Sequence, residues 1–110
     1  TIADILDDPS IGGGIRHVAE VLETYLDGEH RDDAILIEYV HRIGNRSSFK
    51  RLGYLLETLG IEASLLLEAC RTGVSAGISL LDPSMPAKGH ILGRWNLRVN
   101  AAVSAERVLS

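Results

Sequence analysis

Asn45–Gly60 reads NRSSFKRLGYLLETLG, and at helical period Phe49, Leu52, Leu55, Leu56 and Leu59 share one broad face, while Lys50, Arg51, Glu57 and Thr58 fall mostly elsewhere. A face of that breadth needs a core to lie against. Ser47 or Ser48 is expected to cap the first turn, and Gly60 to supply the left-handed residue that stops a helix of about three to four turns. This segment is therefore read as the central helix.

The neighbouring segments supply partners for it. On the N-terminal side, Leu36, Tyr39, Val40 and Ile43 form a helical stripe that Ile35 and Ile37 broaden, capped by Asp32 or Asp33 and ended by Gly44. Before it, Ile15, Val18, Val21, Leu22, Tyr25 and Leu26 recur at three- and four-residue spacings up to Gly28. Thr1 can cap a short helix over Ile2–Leu6, which Asp7, Asp8 and Pro9 end. On the C-terminal side, Glu62–Arg71 is apolar almost all round, which implies burial on more than one side.

Beyond Gly73 the period changes. Ile78–Leu81 is short and strand-compatible, and Arg94–Asn100 alternates Trp95, Leu97 and Val99 against Arg94, Asn96 and Arg98. Between them Pro83, Pro86, Gly89 and Gly93 indicate a surface loop of about a dozen residues, mobile near Lys88 and His90. Ala101–Ser110 reads as a tail with one helical turn. The fold class expected is α+β, mainly α: four to five helices on a short antiparallel β-element near the C-terminus. Two short strands leave an open edge, so a further strand is expected upstream of Thr1 or from a second copy.

The chain has 110 residues, enough for a single domain that buries about two-thirds of its unfolded surface. Hydrophobic residues make up 45% and aromatics only 5%, so Leu, Ile, Val and Ala must build the core. A net charge of −4 gives no global attraction to nucleic acid or anionic lipid. No apolar run approaches the roughly 20 residues of a membrane span. Cys70 has no second cysteine to pair with, so it is read as a small buried apolar residue, and the cytoplasm is the expected compartment. A start at Thr1 directly into a helical pattern is expected of a fragment of a longer protein.

Residue chemistry offers no catalytic constellation. Gly12–Gly14 lacks the lysine and hydroxyl of a phosphate loop and is read as a turn. His17, His30, His41 and His90 are scattered away from metal-ligand spacing, and Asp7–Asp8 and Asp32–Asp33 sit where helix ends want acids. Neither an enzyme nor a cofactor or metal is expected. A hydrolase would need Asp82 with His90, or Asp32 with Asp33, to converge in a pocket. The most suggestive group is basic: Arg42, Arg46, Lys50 and Arg51 around one helix-to-helix turn, with Arg94 and Arg98 on one side of the last strand. Together they would form a positive interaction patch, against the plainer reading of a solvated face paired with Glu38 and Glu57. If the patch acts, exchanging Lys50 and Arg51 for Glu should abolish function and spare the fold.

Three stretches, GGGIRHVAEVL (12–22), GNRSSFKRLGYLLETLG (44–60) and SLLDPSMPAKGHILGRWNLRVN (79–100), resemble the C-terminal domain of the AbiEi family. These are antitoxins of type IV toxin-antitoxin systems, known from abortive infection, that also act as transcriptional regulators. The most specific pieces are Lys50-Arg51-Leu52-Gly53-Tyr54-Leu55, and Leu81-Asp82-Pro83 together with Arg94-Trp95 and Asn100. The resemblance implies a two-part protein: an N-terminal winged helix-turn-helix, not recognisable in this chain, that binds operator DNA, and this non-enzymatic effector domain. It also implies a nucleotidyltransferase-like toxin opposed without a stable complex. The alternative is a protein-interaction module, or a homodimer formed through the strand edge.

Overall fold

The computed structural model describes residues 2–103. Among them, five α-helices precede a small sheet: α1 (Ile2–Asp7), α2 (Ile15–Leu26), α3 (Asp33–Ile43), α4 (Ser48–Leu59) and α5 (Ser64–Thr72), then β1 (Ser79–Leu80), β2 (His90–Leu92) and β3 (Leu97–Val99). A short 3-10 helix, Pro9–Gly12, joins α1 to α2, with Asp8 capping it through Ser10. The domain is α+β and mainly α, as expected. The Thr1 cap and the helical turn expected in the tail after Val103 lie outside the described residues.

α4 is central, and more deeply so than its amphipathic pattern implies. Every residue from Ser48 to Gly53 is buried, as are Leu55 and Leu56, because α1, α2 and α5 all pack on this helix. Gly60 ends it in the left-handed conformation, with φ 67°. At its start neither serine side chain caps the helix, and the Asn45 side-chain oxygen instead accepts from the amide of Ser47, the residue before the helix. Ser48 Oγ in turn accepts from the Asn45 amide.

The flanking helices are buried more narrowly than expected. In α3 only Leu36 and Val40 are buried, and Ile35, Tyr39 and Ile43 stay exposed. In α5 only Leu66 and Cys70 are buried, while Leu65 is 56% exposed, so burial on several sides is corrected to burial on one face. The all-round apolar composition of α5 exceeds what α3 and α4 can cover.

The sheet also departs from expectation. Its order is β1-β3-β2, with β1 parallel and β2 antiparallel to β3, so it is mixed. The third strand comes from within the stretch read as a surface loop, and His90 sits in β2 instead of on a mobile tip. Residues 93–96 are not extended: Trp95 N donates to Leu92 O, Asn96 N to Gly93 O, and Asn96 takes φ 49°. Asn tolerates that left-handed geometry, so the alternating stretch is half turn and half strand.

The turn delivers Trp95, 1% exposed, onto α4 at Gly53. A Cβ on Gly53 would run into the indole ring, and the ring is also held by Glu57, one turn further along α4, whose Oε1 accepts from Trp95 Nε1 at 2.6 Å. Gly53→Ala gains helix propensity of up to ~1 kcal/mol yet forces the ring out of its notch. A net loss of about 1–3 kcal/mol in urea unfolding is expected; equal or greater stability in the variant would show that the two surfaces do not meet this closely.

Candidate functional site

The six bases proposed as a patch separate into interior and surface groups. Lys50 is 1% exposed, and its Nζ donates to Gly77 O (2.8 Å) and Ser79 Oγ (3.0 Å), the latter also held by Ser47 Oγ at 2.7 Å. Arg51 is 4% exposed. Its Nη1 donates to Leu6 O (2.8 Å) and Asp7 O (2.9 Å), and its Nε and Nη2 to Leu80 O (3.2 and 3.0 Å). The last carbonyls of α1, which have no helical partner and carry the negative end of its dipole, are thus capped by a guanidinium from α4.

Burial pushes the Lys50 pKa down, and the neighbouring Arg51 charge adds to it. Burial lowers that of Arg51 as well, against the opposing pull of Asp7, Asp8 and Asp82. Charges placed this way join elements and present nothing to a partner. The expected patch therefore loses its centre, and Lys50→Glu or Arg51→Glu would report on folding instead of on a surface.

The remaining bases follow the plainer reading. Arg42 lies 3.8 Å from Glu38 on the exposed side of α3, and Arg94 Nε donates to Glu57 at 2.9 Å. Burial raises the Glu57 pKa, but the Trp95 and Arg94 hydrogen bonds more than offset it and leave the carboxylate below its ordinary range. Arg98 donates to Gly89 O at 3.0 Å, and Arg46 is exposed beyond the end of α3.

The acids named as hydrolase candidates are likewise engaged in the scaffold. Asp82 Oδ2 accepts from the Ile15 amide at 3.0 Å, while Oδ1 accepts from Ser84 N (2.9 Å) and Ser84 Oγ (2.5 Å). The glycine-rich approach to α2 does hold an anion at the helix start, and that anion is the chain's own carboxylate. Asn100 fastens the same loop: its Oδ1 accepts from Asp82 N, and its Nδ2 donates to the carbonyls of Asp82, Met85 and Pro86. Asp32 caps α3 through the Ile35 amide, and Asp33 binds Arg31 at 2.8 and 2.9 Å. His90 is exposed on β2. Among the described residues no group of three or more His, Cys, Asp or Glu is placed to hold a metal ion, and no helix is long and apolar enough to cross a membrane.

Along α3 the surface presents apolar side chains. Ile35 and Tyr39 border an open groove of about 460 Å³, completed chiefly by Ile2, Tyr25, His30 and Leu36. Tyr25 is fixed there, its hydroxyl accepting from Asp32 N (2.8 Å) and donating to Asp32 O (3.0 Å). The helical pattern puts Tyr39 and Ile43 on one stripe with Leu36 and Val40, of which only the latter two are buried. Glu38 and Arg42, beside Tyr39 and Ile43 on the adjoining arc, were the available signal that this side faces water.

Burial alone would raise the Asp82 pKa, but the hydrogen bonds from Ser84 and Ile15 and the Arg51 charge bring it below the ordinary aspartate value. A carboxylate with a depressed folded pKa stabilises fully above the unfolded value, about 3.9, and that contribution disappears as pH falls through the folded value. Asp82→Asn is expected to cost about 1–2 kcal/mol at pH 7, with the gap to the unmodified chain closing as urea titrations move into acid. A gap that stayed constant down to the acid limit would remove the carboxylate charge from this role. Comparison of the chain with protein-family models, with curated proteins and with solved structures returned no match.

Proposed function

We propose that this chain is the non-enzymatic effector domain of a cytoplasmic type IV antitoxin that also regulates its own transcription, as its likeness to AbiEi C-terminal domains implies. One observation carries the reading. The residues that define the likeness, Lys50, Arg51, Gly53, Asp82, Trp95 and Asn100, are the ones that tie α4 to α1, the sheet and the start of α2. What the pattern specifies is a platform, and its charged groups are consumed in building it. A platform whose buried cations and acids are already bonded internally suits a domain that acts by presenting surface.

Operator reading then belongs to a winged helix-turn-helix outside this sequence, and antitoxicity to the exposed face of this domain. The apolar groove beside α3 favours the second reading, a protein-interaction module, and the two are compatible: an effector domain still needs a surface for its counterpart. Expression of this chain beside the nucleotidyltransferase-like toxin of its own operon should restore growth, whereas the isolated chain should leave operator DNA unshifted at low salt. A folded, well-expressed chain that failed to restore growth would overturn the antitoxin reading, and a specific operator shift would move DNA recognition into this domain.

A further inference from the structure

The surface of α3 has a second property, one that does not rest on the antitoxin reading. Ile35, Tyr39 and Ile43 follow one another at four-residue steps and remain 47%, 44% and 42% exposed, an apolar ridge along the full length of the helix. Three such residues on one ridge, continuous with the groove at Ile2 and Tyr25, go beyond the scattered single exposures normal on a monomer surface.

The charges around the ridge are polarised. The N-terminal end carries Asp32 and Asp33 against Arg31, which bonds Asp33, so one net negative charge remains there, and the C-terminal end carries His41 and Arg42, with Arg46 just beyond. On the flank beside the ridge, Glu38 precedes Arg42 by one turn, and the two touch only at 3.8 Å with side chains 66% and 67% exposed. A pair held that loosely can exchange partners at little cost.

We propose that α3 is half of a two-fold antiparallel helix pair joining two copies of this chain. An isologous contact centred near Tyr39 sets Tyr39 on its own symmetry mate and Ile35 on Ile43 of the other copy. The same rotation brings each acidic end to a basic end, opposes the helix dipoles favourably and puts Glu38 within reach of the other copy's Arg42. A parallel pair would set like ends together. A uniformly acidic or basic partner helix would match one end of α3 and clash with the other, so a second copy is the occupant that satisfies both. This surface is separate from the sheet edge.

Light scattering of the full chain over a dilution series up to roughly 0.5 mM should show a monomer–dimer equilibrium. Tyr39→Glu, at an exposed position, should weaken it by at least ~10-fold with an unchanged circular dichroism spectrum. Glu38→Arg should weaken it as well, and the double exchange Glu38→Arg with Arg42→Glu should restore it, with the circular dichroism spectrum the same in all three chains so that the recovery reports the contact between copies and not the pair within one helix. Under mild oxidation Tyr39→Cys should form a covalent dimer across the axis. A chain that stays monomeric throughout the range overturns the proposal. So does a dimer indifferent to Tyr39→Glu, which would direct attention back to the sheet edge.

Discussion

Two cations closed inside a small domain govern its architecture. Among the described residues no carboxylate is hydrogen-bonded to Lys50 or Arg51 on α4, and carbonyl and hydroxyl oxygens receive them through two bonds from lysine and four from arginine. Removing an ion from water costs several kcal/mol, so each of these bonds matters more than an ordinary one. The acceptors come from the end of α1 and from residues 77–80. The bonds therefore determine where β1 lies against α4 and where α1 stops, since any other placement would strand a buried charge.

The C-terminal ribbon is held by the same logic at two further points. Trp95 enters the notch left by Gly53 and gives its indole N–H to Glu57, so the β2–β3 turn has one seat on α4. Asp82, just after β1, reaches back to the first amide of α2, and Asn100 closes the loop that follows it. Three polar anchors thus position a sheet whose strands are only two or three residues long. Such short strands are marginal alone, and the anchors supply what strand pairing cannot.

For function the consequence is a redistribution. Basic residues that suggest a partner-binding patch are partly interior, and the surface arginines Arg42 and Arg94 are offset by Glu38 and Glu57. Among the described residues the α3 ridge with its groove sets three exposed apolar side chains side by side on one helix. A few buried polar bonds fix how the elements of an otherwise apolar core sit together, and along α3 the exterior offers apolar contact. That is a reason to look for partners along α3 before looking for them among the arginines.

The helices were legible from residues alone because their causes are local. Period, an Asp32 cap and a stop at Gly60 act within a few residues of each other, and α2, α3 and α4 follow them closely. The bases were legible as bases but not in depth: the atoms that enclose Lys50 lie 27 and 29 residues away, beyond any local pattern. β2 escapes for a different reason: it is three residues long between Gly89 and Gly93, so loop signals mask it although its β3 partners lie only five to nine residues on, and in the Trp95 turn alternation continues through a segment that is not extended. The chain's own periodicity determined which segments coil. Tertiary structure alone decided which charges are inside, because burial is a property of what packs over a residue and not of the residue.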